Sequence, residues 1–191
     1  MLEIHDPVGN RGEMKRRNMM ELVTEKDPIL KQALEVFDFD DPPVDPIELF
    51  NEMADFMVEK RGIGLSASQV GLPYRMFIFG HPDDRANMVG VFNPVITTTG
   101  EKMVYFDEGC LSFPDLFVKI RRPDSIRVRY TTHENVTDVI RFEGLSSRVF
   151  QHELDHLDGV TFDTQTNRIH LTQARKHRKI IQRKRKRGKI K

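Results

Sequence analysis

Apolar positions change period twice along the chain. Residues 1–24 show little pattern and read as an N-terminal extension that packs loosely. DFDDPPVDP (38–46) is a loop by its prolines and aspartates. It runs into Asp45-Pro46-Ile47-Glu48, which combines an N-cap, a proline at the first helical position and a glutamate three residues after the cap. Ile47, Phe50, Met53, Ala54 and Met57 then recur at helical spacing until Gly62, so a helix is predicted over 46–61.

Past a glycine-bearing loop (62–73) the period shortens. RMFIFG (75–80), MVGVFNPVI (88–96) and MVYF (103–106) are short, apolar and rich in strand formers. FVKI (117–120) and SIRVRYT (125–131) alternate apolar with basic residues, as half-buried strands do. His133-Glu134-Asn135 makes a turn into VTDVIRF (136–142), and from Gly144 the helical period returns. The fold class is therefore α+β, with antiparallel sheets packed around a central helix, an N-terminal helix before them and a basic tail after. The crossovers of a βαβ fold are missing. Three segments follow: the extension 1–24, a main domain 25–170 and the tail 171–191.

The central helix, about 145–158, carries the chemistry. Leu145, Val149, His152 and His156 share one face, and Phe150, Leu154 and Leu157 form a stripe beside it. A helix apolar on so much of its circumference is buried, so its histidines face hydrophobic walls. Arg148, an oddity there, snorkels outward or pairs with an acid. His152-Glu153-Leu154-Asp155-His156 places two imidazoles one turn apart, within reach of one cation. A catalytic site of this kind takes three protein ligands and leaves one position for water. Gly159 sits where metzincins have their glycine, but Phe162 stands where their third histidine belongs, and no glutamate follows Glu153. Downstream, only His170 and His177 remain, one two residues past Arg168 and the other inside the basic run. Upstream lies the single cysteine, Cys110, in Glu108-Gly109-Cys110-Leu111-Ser112. A lone cysteine is usually a small buried hydrophobe; with a histidine pair short of one ligand, it becomes the candidate third donor.

EGCLS and HELDH, in this order and about 40 residues apart, resemble the second and third signature motifs of peptide deformylases. Gly62-Ile63-Gly64-Leu65-Ser66-Ala67-Ser68-Gln69 is similar to the family's first motif, with Ser66 where alanine is usual. The resemblance covers roughly residues 25–165. It implies removal of the N-formyl group from the first methionine of nascent chains, releasing formate. Cys110, His152 and His156 would hold the metal, with Glu153 as the base. Gln69 and the backbone N–H of Leu111 would stabilise the oxyanion. By the same likeness Ile63 joins Leu145 and Val149 in lining the methionine slot, and the backbones of Gly64 and Gly109 pair with the peptide. The family favours Fe²⁺, with Zn²⁺, Ni²⁺ or Co²⁺ as substitutes. A rival reading of the first motif, Gly62-x-Gly64-x-x-Ala67 as a dinucleotide fingerprint, fails on context: that fingerprint follows a strand and opens a helix, and this one does the reverse. Two other classes stay open, a metallopeptidase and a non-catalytic metal- or RNA-binding protein.

Composition adds a charge asymmetry. Of the 30 Lys and Arg, 11 lie in 175–191, which has no acid. Residues 1–174 thus carry 19 basic against 29 acidic side chains, a formal −10. A basic block of this kind is ordinarily solvated, yet it also suits a polyanion. Leu171–Gln182 lacks Pro and Gly and has helical potential, and the resemblance points to ribosomal RNA as its partner. Only Ile180, Ile181 and Ile190 are available to enter a lipid surface, so no membrane partner is expected. One cysteine, no apolar run of transmembrane length and no secretory signal suit the cytoplasm, and a monomer is expected because no exposed apolar stripe stands out.

Overall fold

The computed structural model describes residues 20–189. Its first long helix is α1 (Pro46–Glu59). The Asp45 carboxylate accepts from the N–H groups of Ile47 (2.8 Å) and Glu48 (3.0 Å), which have no partner inside the helix. Phe50, Met53, Ala54 and Met57 are buried as their spacing predicts, and Leu49 and Phe56 join them. Ile47 is the exception, half exposed in the first turn.

Seven strands follow among the described residues: β1 (Gly64–Ser66), β2 (Met76–Phe79), β3 (Val89–Thr99), β4 (Met103–Cys110), β5 (Phe113–Pro123), β6 (Ser125–Thr131) and β7 (Thr137–Glu143). Five make one antiparallel sheet in the order β1-β2-β3-β6-β7, while β4 and β5 form a separate hairpin. Two expectations need correction here. The segment 62–73 is not all loop, since β1 pairs with β2 through Gly64↔Phe79 to Ser66↔Phe77; three residues are too few to show a period. The strands expected at 103–106 and 117–120 are parts of a much longer hairpin, the first half of β4 and the middle of β5. Asp107-Glu108-Gly109 has little strand propensity of its own and is extended because β5 pairs with it.

The central helix, α2 (Gly144–Leu157), packs its Phe150 ring against Phe77 of β2 and Phe142 of β7. That face belongs to the main core, which also contains α1. A second, smaller core lies on the hairpin, where Leu116, Val118 and Ile120 meet Leu30, Phe113 and Phe162. Over it lies α3 (Arg168–Lys186), contributing Leu171 and Ala174.

So α3 starts earlier and ends later than 171–182, and it runs across the expected boundary at 170. Asn167 caps it by accepting from the His170 N–H (2.8 Å). Its inward cations pair with acids of the body: Arg178 with Glu25 (2.7 Å), Arg175 with Asp163 (3.3 Å) and Arg185 with Asp115 (2.6 Å). Of the expected extension, residues 1–19 lie outside the described part. Its described end is attached rather than loose: Met20 and Leu22 pack on the main core, and the Val23 N–H donates to the Gln69 carbonyl (2.9 Å).

Gly159, just past α2, is held at φ +71°. A Cβ there would lie 2.8 Å from the backbone carbons of Lys31 and Gln32, where the chain bridges Ala33 to Asp158. Backbone strain and a backbone collision act together, so Gly159→Ala should destabilise the fold by about 2 kcal/mol. Urea unfolding checks this; an unchanged midpoint would refute it.

Candidate active site

Two pieces of chain meet at the site. One is the end of β4, where a register shift between Gly109 and Cys110 breaks the ladder. The other is α2, which presents His152 (7% exposed), Glu153 (4%) and His156 (0%). The Cys110 Sγ, one nitrogen of His152 and one of His156 all lie within 4.8 Å of one another. Cys110 Sγ stands 3.3 Å from His156 Nε2. A thiolate and two imidazoles so placed suit a divalent transition metal. The carboxylate of Glu153 projects beside them, and its Oε2 is buried with no hydrogen-bond partner among the described residues. Such an orphan is expected of a group that works on a water or a substrate.

The surroundings of these side chains favour positive charge among the donors. Burial works against a charged His152, but hydrogen bonds with Cys110 and Glu108 outweigh it and push its pKa up to about 10. A proton or a metal cation can supply that charge. Burial drives His156 the other way, well below its usual range, and the charges of His152 and Arg122 add to this. His156 is therefore neutral and able to donate a lone pair. Burial also pushes the Glu153 carboxyl up to about 7, so it exchanges a proton near neutrality.

Beneath the donors lies a polar group of side chains that sequence reasoning left without a role. Glu108 accepts from Arg122 Nε (2.7 Å) and a terminal nitrogen of the same guanidinium (3.0 Å), from Arg148 (2.9 Å), and faces His152 Nδ1 (2.9 Å). Arg122 also reaches Asp155 (2.7 Å). Arg148 turns inward to the acid, and further donates to the carbonyls of Val104 (2.7 Å) and Ile120 (3.2 Å). The alternative of an outward, snorkelling Arg148 is thereby excluded. A signal was available for Arg122: period two along β5 buries Leu116, Val118, Ile120 and then Arg122. A cation on the buried face of a strand calls for a buried anion.

The glycine motif places the remaining candidates. Ser66 N–H donates to Gln69 Oε1 (2.8 Å), which turns the amide so that Nε2 donates to Cys110 Sγ (3.3 Å). The unusual Ser66 is fully buried and bonds through its hydroxyl to Ser68 (3.0 Å). Gly64 lies so close to α2 that a Cβ would collide with the Glu153 carboxylate and with Val149. A cavity of about 510 Å³ opens here, lined by Ile63, Gly64, Gly109, Leu111, Leu145 and Val149 among others. Leu145, expected beside the slot, stands at its mouth and is 57% exposed, whereas Val149 is buried.

Comparison with known proteins gives the family. The model of the polypeptide deformylase family matches residues 19–171. The chain belongs to that family. It is 36% identical over 155 residues to the peptide deformylase of Bartonella tribocorum, spanning 79% of this chain and 86% of that one. With its counterpart from Thermotoga petrophila it shares 44% of 137 residues, 70% of this chain and 79% of the other. Among solved structures, a peptide deformylase from Legionella pneumophila superposes with a TM-score of 0.77 at 26% identity, covering 87% of this chain and 97% of that one. One from Plasmodium falciparum gives 0.77 at 29%, with coverage of 90% and 100%.

Glu108 is held down at about 2: burial raises its pKa, but the His152 and Arg122 hydrogen bonds outweigh that. A carboxylate lowered in the folded state stabilises the fold above its unfolded pKa, and loses that contribution as pH falls from about 4.5 toward about 2. Glu108→Gln should therefore cost about 3 kcal/mol at pH 7, because buried Arg148 loses its counter-ion and Arg122 keeps only Asp155. The gap to the unmodified protein should narrow at pH 3. Urea unfolding at both pH values checks this, and a gap independent of pH would refute it.

Proposed function

We infer that this chain is a metal-dependent hydrolase that removes the formyl group from the N-terminal methionine of nascent polypeptides. The observation that carries the reading is the convergence of Cys110, His152, Glu153 and Gln69 on one cavity, with His156 beside Cys110 and His152, in a chain of this family. Cys110, His152 and His156 hold the metal, and iron in the ferrous state is our choice, with zinc, nickel or cobalt as substitutes. Bound there, a divalent cation supplies Lewis acidity that makes water more acidic and the formyl carbonyl more electrophilic.

The protein's own groups do the rest. Glu153 accepts the proton of the attacking water and afterwards gives it to the departing amine, so that formate and a free methionyl N-terminus leave. Its pKa of about 7 suits both transfers. Gln69, turned by Ser66, and the backbone N–H of Leu111 donate to the oxygen on which charge accumulates; one such donor is worth about 10²–10³ in rate. Ile63, Leu145 and Val149 receive the methionine side chain. The backbones of Gly64 and Gly109 pair with the peptide as an added strand, and a side chain at Gly64 would push into the Glu153 carboxylate that acts there.

The outward face of α3 supports a second element of the reading. Lys176, Lys179, Arg183, Lys184, Lys186 and Arg187 are exposed and make no ion pair among the described residues. We assign this face to the phosphates of ribosomal RNA, which brings an otherwise acidic body to its substrate. No described helix is long and apolar enough to cross a membrane. A cytoplasmic location is our working assignment, in keeping with the single cysteine, and a monomer is our default.

Two measurements test the assignment. Glu153→Gln should retain its metal by elemental analysis yet release formate from a formyl-Met peptide at least 10²-fold more slowly; normal turnover would remove Glu153 as the base. Cleavage of unblocked peptides by the unmodified enzyme would favour a metallopeptidase instead. For the tether, co-sedimentation with ribosomes should weaken steeply with salt and be lost from a chain ending at Thr172. Equal binding by both lengths would refute it.

A further inference from the structure

A second cavity, of about 440 Å³, lies against α3. None of the metal donors and no residue of α2 lines it, so it is separate from the site described above. The two cavities share only a wall, made by Phe113 and Leu116 of the hairpin. A space of this size admits a ligand no larger than about one nucleotide.

Its charge is at odds with the rest of the body. Lys26, Lys31, Arg175 and Arg178 line it against two carboxylates, Glu25 and Asp163, a formal excess of +2 from four cations and two anions. Residues 1–174 as a whole carry −10. The acids nearby are already engaged. Asp163 accepts from Arg175 (3.3 Å) and from the Thr161 hydroxyl (2.8 Å). Asp27, beside Lys26, is turned to the Ile29 N–H (3.1 Å). Lys26 and Lys31 are exposed and make no ion pair among the described residues.

The remaining pair is poorly satisfied. Glu25 Oε2 stands 2.7 Å from a terminal nitrogen of Arg178, yet that oxygen and Arg178 Nε are both buried without a hydrogen-bond partner among the described residues. A misaligned pair of this kind yields to an acceptor that fits the guanidinium better. The Glu25 side chain is partly exposed and can turn to water when it is displaced.

We propose that this cavity binds a small phosphorylated molecule with an apolar or aromatic body. Lys26 and Lys31 take the phosphate, Arg175 and Arg178 complete its surroundings, and the body rests on Phe113 and Leu116. A phosphomonoester carries close to two negative charges at neutral pH, which matches the excess of two cations. A single carboxylate would leave one of them unanswered. A polynucleotide does not fit so small a space and belongs on the outward face of α3. The proposal does not depend on the reaction at the metal.

The test is calorimetric titration of the zinc-loaded full chain with phenyl phosphate, AMP, glucose 6-phosphate and inorganic phosphate. Phenyl phosphate or AMP should bind with a Kd below about 1 mM, at least tenfold tighter than the two ligands without an apolar body. The Leu116 methyl resonances should shift as that ligand is added. Lys26→Gln/Lys31→Gln should weaken its binding at least tenfold, whereas Lys179→Gln/Arg183→Gln on the outward face should leave it unchanged. Failure of both phenyl phosphate and AMP to bind below about 1 mM overturns the proposal, and so does equal affinity for inorganic phosphate. Binding that survives Lys26→Gln/Lys31→Gln places the anion elsewhere, at the metal or on the outward face, and overturns it too. A short RNA is titrated alongside. If the Lys26→Gln/Lys31→Gln substitution weakens the RNA and not the small phosphates, the lysines belong to the polyanion face and the cavity proposal falls.

Discussion

A carboxylate buried among two guanidiniums and an imidazole joins the two halves of this molecule. Glu108 belongs to the hairpin, and His152 and Arg148 belong to α2, which packs on the other sheet. Removing these charges from water costs several kcal/mol per ion, which good geometry only roughly offsets. What the arrangement secures is placement. The Glu108 oxygens meet Arg122, Arg148 and His152 in one relative position of strand and helix, and Arg148 adds bonds to carbonyls on both strands of the hairpin. Cys110, two residues beyond Glu108, is brought to the histidines by the same joint.

The central helix serves two environments. Its Phe150 side fills an aromatic core with Phe77 and Phe142, where only volume and apolarity matter. Its other side is polar yet equally buried, with Arg148, Gln151, His152 and Glu153 each less than a tenth exposed. Burial there is what raises Glu153 to about 7 and depresses His156. The apolar shell and the polar site are thus one construction, since the shell excludes the water that would otherwise screen these groups.

The basic C-terminal segment divides along the same lines. Arg175, Arg178 and Arg185 turn toward acids of the body, while Leu171 and Ala174 close the small core over the hairpin. These contacts fix the helix in place and orient its remaining cations outward. An acidic body is in this way both the anchor of the helix and the reason a basic face is useful on it.

Local sequence determined a good deal. Helix α1, with its Asp45 cap, and the face shared by His152 and His156 follow from spacing, because a helix repeats within one or two turns. The half-buried strand β6 follows from alternation, with Ile126, Val128 and Tyr130 all buried. The deformylase motifs were legible as strings of residues, and with them the family and its α+β fold. Pairing between distant segments was not legible. The full length of the hairpin, the brief strand at Gly64 and the docking of α3 depend on partners far away in the chain, and no local period encodes them. The same holds for Arg148, whose inward turn depends on Glu108, 40 residues earlier. Lys26 and Lys31 read in the sequence as ordinary surface charges. Only the tertiary structure gathers them with Arg175 and Arg178 around one cavity, because α3 packs back on the hairpin and brings distant parts of the chain together.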